Sequence, residues 1–466
     1  EPAIAPKLLH LNYALAEELG LDPLALDSEA GLEIFSGNAV PQGSNTLAQA
    51  YAGHQFGGFS PQLGDGRALL LGEVIDTQKR RRDIQLKGSG RTPYSRGGDG
   101  KAALGPVLRE YLIAEAMHAL GIPTTRALAA VSTGANVYRE TPLPGAILTR
   151  VAASHIRVGT FQYGAARGEV DKVRALADYA ILRHYPEIAD AENPYLEFFV
   201  AVTDAQAALV ASWMNIGFIH GVMNTDNMTI SGETIDYGPC AFMNSYSPGT
   251  VFSSIDQHGR YAYANQPEIL VWNLARLAET LIPIVDPDKN RAIELLTETI
   301  DCIKPLYESH WLAGMQSKIG LSTEDPQDQK LITDLLSLMA EGQADFTLVF
   351  RHLAKVLLGV SDPVRNLFKD PAAFDLWAQR WQKRLEQEGV SKETRAEAMD
   401  RFNPIYIPRN HKVEEALSAA VEQGDMKPFT KMLNVLSHPF EDIQEEEVYA
   451  EPPPLSNIPY RTFCGT

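Results

Sequence analysis

Three side chains with oxygen donors, Asp226, Asn227 and Asp236, lie within one short segment of the chain. Asp226 and Asn227 are adjacent, and Asp236 follows nine residues after Asn227 in an Asp-Tyr-Gly triplet. Sites that transfer phosphoryl groups from ATP hold Mg²⁺ with an Asn of one loop and the Asp of a following Asp-x-Gly. Oxygen ligands of this type suit Mg²⁺ or Mn²⁺. The spacing therefore predicts a divalent metal site formed by Asn227 and Asp236.

The same segment lacks the acidic residue that a protein kinase places in its catalytic loop. A kinase loop has an Asp two residues after its His, and here Val222 stands two residues after His220. Metal ligands without that base indicate ATP binding with altered chemistry. An ordinary polar turn is the alternative, and the residues upstream weigh against it.

A lysine and a glutamate upstream fit the same kind of site. Lys87 ends a predicted strand, and Glu110 lies on a predicted helix over residues 104–120. The helical neighbours of Glu110 are apolar, so we expect its side chain to point inward. A buried carboxylate needs a cation. We therefore expect Glu110 to pair with Lys87, as a strand lysine and a helix glutamate pair in kinases, although an exposed strand-end lysine is the alternative.

Two glycine-rich turns, at residues 64–67 and 97–101, and two arginines complete the candidate site. Glycine lets backbone N–H groups approach a nucleotide because no Cβ intervenes, and a simple β-turn is the alternative for the first turn. In the second turn, Asp99 is either a helix cap or a ligand contact. Arg150 and Arg157 are seven residues apart and would share one face if the stretch between them is helical. Two guanidiniums on one face suit a polyphosphate, and surface ion pairs are the alternative.

The composition is that of a globular protein and argues against several partners. The 466 residues are 45% hydrophobic and 21% charged, which is ordinary. A formal net charge of −18 argues against nucleic-acid binding and against attachment to acidic lipid. The three cysteines form no Cys-x-x-Cys pair, so we expect a reducing compartment and no disulfide framework. We find no uninterrupted apolar run of the ~18 residues that span a membrane.

The predicted elements give an α+β fold with a β-rich lobe followed by a helical lobe, as in protein kinases. Helical periodicity dominates from about Asp171 onward. Strands are predicted at residues 68–74, 83–87, 127–133, 136–139 and 145–151. We divide the chain into an irregular N-terminal extension (1–60), a kinase-like N-lobe (61–150), a helical C-lobe (151–400) and a C-terminal extension (401–466).

These motifs together resemble those of the selenoprotein O family, known in bacteria as YdiU-like proteins. The resemblance covers essentially the whole chain from Leu11 onward. Its motifs are QLGDGR at 62–67, QLKGSGRTPYSRGGDG at 85–100, SHIRVGTF at 154–161, the segment 220–238, DQHGR at 256–260 and NPIYIPRN at 403–410.

The resemblance implies an enzyme that transfers AMP from ATP to Ser, Thr or Tyr hydroxyls of other proteins and releases pyrophosphate. ATP would bind in a flipped orientation, which explains the absent kinase Asp. Asp226 would be the general base, with Asn227 and Asp236 as ligands of Mg²⁺ or Mn²⁺ and Asp236 also touching ATP. The remaining implied nucleotide contacts are Gly64, Gly66, Arg67, Asp99 and Gly100, with Lys87 (paired with Glu110), Arg150 and Arg157 on the terminal phosphates.

Two other functions stay open on the sequence: a kinase-type phosphotransferase and a catalytically silent ATP-binding scaffold. Transfer of UMP from UTP is also open, because nothing in these motifs reads the base. We expect a monomer, in the cytoplasm of a bacterium or the mitochondrion of a eukaryote. Family members carry a Cys or selenocysteine near the C-terminus, where Cys464 stands, and some tie it to a second Cys. Residues 248–254 hold no such Cys, so we expect no redox latch unless Cys240 substitutes.

Overall fold

The structure is a computed structural model that describes residues 1–454 and 460–463. Cys464, on which the redox expectation depends, lies outside the described residues. The described part has a mixed α+β architecture, with most strands in the first third and helices after them. The strands are β1 (Lys7–Leu11), β2 (Gly53–Gln55), β3 (Gly58–Ser60), β4 (Ala68–Ile75), β5 (Arg81–Lys87), β6 (Ala102–Ala103), β7 (Arg126–Tyr138), β8 (Pro142–Ala152), β9 (Phe218–Ile219) and β10 (Ala241–Phe242).

The helices of the described part range from 4 to 30 residues in length, and the longest has Pro305 in its interior. They are α1 (Tyr13–Glu18), α2 (Pro23–Leu26), α3 (Glu29–Phe35), α4 (Leu104–Ala119), α5 (Val158–Ala165), α6 (Val170–His184), α7 (Pro194–Ile216), α8 (Gln266–Val285), α9 (Lys289–Lys318), α10 (Asp328–Gly342), α11 (Phe346–Leu357), α12 (Asp362–Arg365), α13 (Pro371–Glu386), α14 (Lys392–Phe402), α15 (Asn410–Gln423) and α16 (Lys427–Leu436).

The main sheet is antiparallel and has the strand order β1-β7-β8-β5-β4, with β6 paired to β8. The predicted strands 127–133 and 136–139 are one strand, β7, whose pairing with β8 is irregular between Ser132 and Asn136. The register places Arg150 of β8 opposite Gln85 of β5. Lys87 ends β5 two residues after Gln85. Because strand side chains alternate with a period of two, Lys87 lies on the same face of the sheet as Gln85 and its partner Arg150.

Helix α4 packs against β7 and β8 and presents Glu110 to the sheet. Leu108, Leu112 and Met117 are fully buried on this helix, and their burial anchors it. The helix ends where predicted: Gly121 adopts φ 78°, a left-handed conformation that glycine accepts without cost. The helix therefore holds Glu110 rigidly beneath the end of β5.

The expectation of an irregular N-terminal extension is wrong in part. Strand β1 joins the main sheet beside β7, and the separate β2–β3 hairpin packs against a short 3₁₀ turn at Thr225–Asn227. Strand β1 escaped detection because its burial does not alternate: the middle residues are all half-buried. The β2–β3 hairpin is short and rich in glycine, which weakens any strand signal.

Helix α7 organises the helical part by packing against α8 and α9. By length and composition it is the one helix among the described residues that could cross a membrane, although Glu197 and Asp204 interrupt its apolar run. An 18-residue window of α7 has a mean hydropathy of 1.2, and 56% of that window is buried inside the protein. This burial is that of a core helix in a globular fold.

Candidate functional site

Asp236 lies at the centre of a buried cluster of charges. Its Oδ1 atom accepts hydrogen bonds from Lys87 Nζ at 2.8 Å and from Arg150 Nη1 at 2.6 Å, and its Oδ2 atom accepts one from Arg157 Nη1 at 2.7 Å. The predicted pair is present, since Lys87 Nζ lies 2.6 Å from Glu110 Oε2. Arg150 Nη1 also bonds Glu110 Oε1 at 3.1 Å. Three cations therefore converge on one site, where they face Asp236, Glu110 and a third carboxylate, Asp65, which lies 3.8 Å from Arg157.

Four separate elements deliver these side chains. Lys87 comes from the end of β5, Arg150 from β8 and Glu110 from α4, whereas Arg157 is the residue that precedes α5. The conditional prediction that Arg150 and Arg157 share a helix face is wrong, because Arg150 is in a strand and residues 153–156 form no helix. Their guanidiniums converge all the same, because the chain turns after β8 and brings both onto Asp236.

Asp236 has a lowered pKa and an uncommon backbone conformation. Burial alone would raise the pKa of this carboxyl, but the charges on Lys87, Arg157 and Arg150 outweigh burial and hold the pKa well below its ordinary value. Asp236 also adopts φ 62°, a left-handed conformation that is uncommon for a residue other than glycine. Such a conformation persists only where contacts with the surrounding structure hold the residue in place, and it is frequent at functional sites.

Asp226 lies beside this cluster, on the 3₁₀ turn at Thr225–Asn227. Arg157 Nη1 bonds both the Asp226 carbonyl oxygen, at 2.8 Å, and Asp236, so one guanidinium joins the two segments. The Asp226 side chain is buried, and burial raises its pKa to about 6 despite the hydrogen bond from Gln55 and the charge on Arg157. Its Oδ1 atom is buried and has no hydrogen-bond partner among the residues that the structure describes. A buried carboxylate oxygen without a partner marks a place where a ligand can bind.

The donor atoms around Asp226 suit a hard divalent cation. Asn227 donates through Nδ2 to the Val222 carbonyl at 2.9 Å, which leaves its amide oxygen as a donor to a metal. Asp236 uses each carboxylate oxygen for cations, yet a carboxylate offers about four lone-pair sites. Within the described residues no group of three or more His, Cys, Asp or Glu side chains is arranged for a metal. An ion here would therefore depend on few protein ligands and on the substrate's phosphates, as Mg²⁺ commonly does.

The glycine-rich segments pack against one another next to β4 and β5. A Cβ on Gly64 would lie 2.5 Å from the Tyr94 ring, and one on Gly100 would lie 2.1 Å from the Gly90 carbonyl oxygen. The Arg67 carbonyl accepts a hydrogen bond from the Gly88 N–H at 2.7 Å, which ties the first turn to the segment after Lys87. These close contacts leave no room for a Cβ at Gly64 or Gly100. The two turns, with Gly66, therefore form one surface.

Asp99 is not the cap of α4 and does not reach the charge cluster. Residue Ala103 occupies the position before the helix. The Asp99 carboxylate instead pairs with Arg139 at 2.9 Å and accepts the Lys101 N–H at 3.0 Å. The Asp99 side chain is thus engaged away from the other charged residues of the predicted site.

Three residues that support the cluster were not predicted from the sequence. Gln85 accepts both Arg150 Nε and Nη2, at 3.2 and 2.6 Å, and donates to Asp65 at 3.2 Å. Burial raises the pKa of Asp65, and the Tyr51 ring lies 4.7 Å from the Arg157 guanidinium carbon. The alternation of β5 could have revealed Gln85, since it lies two residues before Lys87. No local signal reveals Tyr51, because its contact spans more than 100 residues.

His220 has a structural role in the segment before Asp236. Its Nε2 lies 2.9 Å from the Ile235 carbonyl oxygen, and its ring stacks on Trp213 with centroids 5.4 Å apart. Burial lowers the pKa of this histidine. It therefore holds the segment before Asp236 as a neutral ring.

A family model and individual known proteins both indicate the same family for this chain. Residues 2–437 match the family described as "Protein adenylyltransferase SelO". A protein of Cereibacter sphaeroides (strain KD131 / KCTC 12085) named "Protein nucleotidyltransferase YdiU" is 62% identical over 467 aligned positions, which cover 100% of this chain and 95% of that protein. Proteins of the same name from Rhizobium rhizogenes and Agrobacterium fabrum are 59% and 57% identical, over 100% of this chain and 93% and 96% of theirs.

Proposed function

Because the chain belongs to the SelO family of protein nucleotidyltransferases, we propose that it transfers AMP from ATP to Ser, Thr or Tyr hydroxyls of proteins. The observation that carries the proposal is the buried cluster of Lys87, Arg150 and Arg157 around Asp236. Three converging cations suit the terminal phosphates of a nucleotide, and fixed charges of this kind stabilise charge that moves onto departing pyrophosphate.

In the proposed reaction the acceptor oxygen attacks the α-phosphorus. The new bond joins that oxygen to phosphorus, the bond from the α-phosphorus to the bridging oxygen breaks, and pyrophosphate leaves with the electron pair. Asp226 takes the proton from the acceptor hydroxyl. Its pKa of about 6 suits a general base that works near neutral pH.

Asn227 and Asp236 would hold Mg²⁺ or Mn²⁺, which supplies charge neutralisation at the phosphates. Lys87, held by Glu110, and the two arginines would bind the outer phosphates. Gly64, Gly66, Arg67 and Gly100 would line the rest of the nucleotide. Asp99 would contact the nucleotide only if its carboxylate gave up its ion pair with Arg139.

The proposal includes a kinase-like arrangement of two lobes. Residues 61–150 would form the N-lobe and residues 151–400 the C-lobe, with extensions at 1–60 and 401–466. The ion pair between a strand lysine and a helix glutamate supports this arrangement, because kinases build the same pair. With terminal phosphates bound at Lys87, the nucleotide would lie opposite to its direction in a kinase. We further propose a monomer, in the cytoplasm if the source is bacterial.

One assay with two labels tests the proposal. Purified protein is incubated with a generic acceptor protein, Mg²⁺ or Mn²⁺, and ATP labelled at the α- or the γ-phosphate. We expect the acceptor to retain label from α only; label from γ only would establish a phosphotransferase, and metal-dependent ATP binding without transfer would establish a silent scaffold. UTP labelled at α tests the second nucleotide. Asp226→Ala should lose transfer and keep ATP binding, and unchanged turnover would refute its role as base.

A further inference from the structure

We propose that Gln55 is a positioning residue for Asp226, and that the β2–β3 hairpin holds the side chain of this candidate base in one orientation. The hairpin belongs to the N-terminal extension, which reaches across to the loop at residues 224–226. The inference rests on the proposed function, since it assigns a role relative to the base of that reaction.

The backbone of the hairpin is tied to the two residues that precede Asp226. The His54 N–H donates to Thr225 Oγ1 at 2.7 Å, and the Phe56 N–H donates to Asn224 Oδ1 at 3.2 Å. Thr225 Oγ1 in turn donates to Gln162 Oε1 at 2.6 Å. The strand at Gly53–Gln55 therefore has a fixed position relative to the residues that precede Asp226.

The Gln55 side chain meets the carboxylate directly. Its Nε2 lies 3.1 Å from Asp226 Oδ2, while the other carboxylate oxygen, Oδ1, has no hydrogen-bond partner within the described part of the chain. The terminal torsion of an aspartate is broad and has no sharp preference of its own. A donor on Oδ2 fixes that torsion and keeps Oδ1 as the atom with a free lone pair for a proton.

The turn of the hairpin is strained, and the loop maintains the strain. Phe56 adopts φ 51° and Gly57 φ 85°, a pair of left-handed residues as in a tight two-residue hairpin. Tyr261 also holds Phe56: its hydroxyl accepts the Phe56 N–H at 3.1 Å, and the ring centroids are 5.2 Å apart. A left-handed phenylalanine costs free energy, and its presence at this place indicates a functional constraint.

Two substitutions at one position separate positioning from packing. Gln55 is exposed overall, so Gln55→Ala removes the donor with little change in packing. Gln55→Glu keeps the shape but places an acceptor against the Asp226 carboxylate. A residue that only filled space would tolerate the isosteric glutamate better than alanine, whereas a residue that orients the base should tolerate it worse.

We expect kcat for AMP transfer to fall by about tenfold or more in Gln55→Ala and further in Gln55→Glu, because small misplacements of a reacting group cost that much. The Kd for ATP, measured by calorimetry with Mn²⁺, should stay within about twofold of the wild type. Gln78→Ala is the matched control, since Gln78 is exposed in the turn between β4 and β5, and it should keep the wild-type kcat.

The same experiment includes Asp226→Asn to separate two failures. If Asp226→Asn is inactive while Gln55→Glu keeps the wild-type kcat, the positioning role is overturned and the proposed function stands. If Asp226→Asn turns over at the wild-type rate, the assignment of the base fails and the role of Gln55 fails with it. A loss in Gln55→Glu through KM for ATP alone, with kcat unchanged, would also overturn the inference.

Discussion

Replacing Gly53 by alanine should displace Asp226 with the smallest possible change to the chain. A Cβ at position 53 would lie 2.5 Å from Asp226 Oδ1, 2.9 Å from its Cγ and 3.0 Å from its Cβ. Ordinary carbon–oxygen contacts begin near about 3.4 Å, so either the carboxylate or the hairpin must move by about 1 Å. Gly53 has no left-handed φ, so alanine causes no backbone strain and the effect isolates the contact.

A displacement of about 1 Å at a reacting group can cost about 100-fold in rate. We therefore expect kcat for AMP transfer to fall by about 100-fold in Gly53→Ala. ATP affinity should stay nearly unchanged, because Lys87 and Arg150 are held by Glu110 and Asp236. Transfer is measured with α-labelled ATP at saturating nucleotide, and ATP affinity by calorimetry.

Gly58→Ala is the matched control on the same hairpin. A Cβ on Gly58 would have its nearest neighbour at 3.5 Å, the Gln55 carbonyl oxygen, which is an ordinary contact. Its kcat should equal that of the wild type. Wild-type kcat in Gly53→Ala, in a protein that remains folded, would refute the idea that the hairpin and Asp226 form one close-fitting unit.

Three further predictions concern stability, the metal and the charge cluster. Lys318 lies 4.3 Å from the Phe350 ring centroid, and burial lowers the pKa of its amine to about 7. Between about pH 7 and pH 10 this amine is therefore protonated in the unfolded chain and neutral in the folded chain, which destabilises the fold. Lys318→Met should raise the free energy of unfolding at pH 7 by roughly 4 kcal/mol, and urea denaturation that gives equal stability at pH 7 would contradict this. Chelation with EDTA should abolish AMP transfer, and Asn227→Ala should raise the Mn²⁺ concentration needed for half-maximal rate; a rate independent of metal would refute the site. Glu110→Gln should weaken ATP binding by about tenfold by loosening Lys87, worth about 1.4 kcal/mol, and an unchanged Kd would contradict the pairing argument.

The sequence predicted the elements that have strong periodicity. Helix α4 and the inward direction of Glu110 followed from an apolar stripe, and the partner Lys87 followed from the need to neutralise a buried carboxylate. The helices of the second half were placed because their apolar faces repeat regularly over several turns. Each of these predictions depends on residues that are close together in the sequence, and the folded chain contains the helices that they predicted.

The missed features depend on contacts between distant parts of the chain. Strand β1 pairs with β7 across more than 100 residues, and Gln55 reaches Asp226 across 171 residues. The two arginines converge through a change of direction after β8 and not through a helix. Periodicity describes which face of an element is buried, but it cannot identify the distant partner that buries it.

The position of a bound nucleotide tests the central claim most directly. The protein is crystallised with Mn²⁺ and an ATP analogue that has a non-cleavable α–β bridge, and anomalous scattering locates the ion. We predict that the ion lies at Asn227 and Asp236 beside the α-phosphate, with the outer phosphates at Lys87, Arg150 and Arg157. A γ-phosphate beside the ion, with adenine enclosed next to Lys87, would contradict the account.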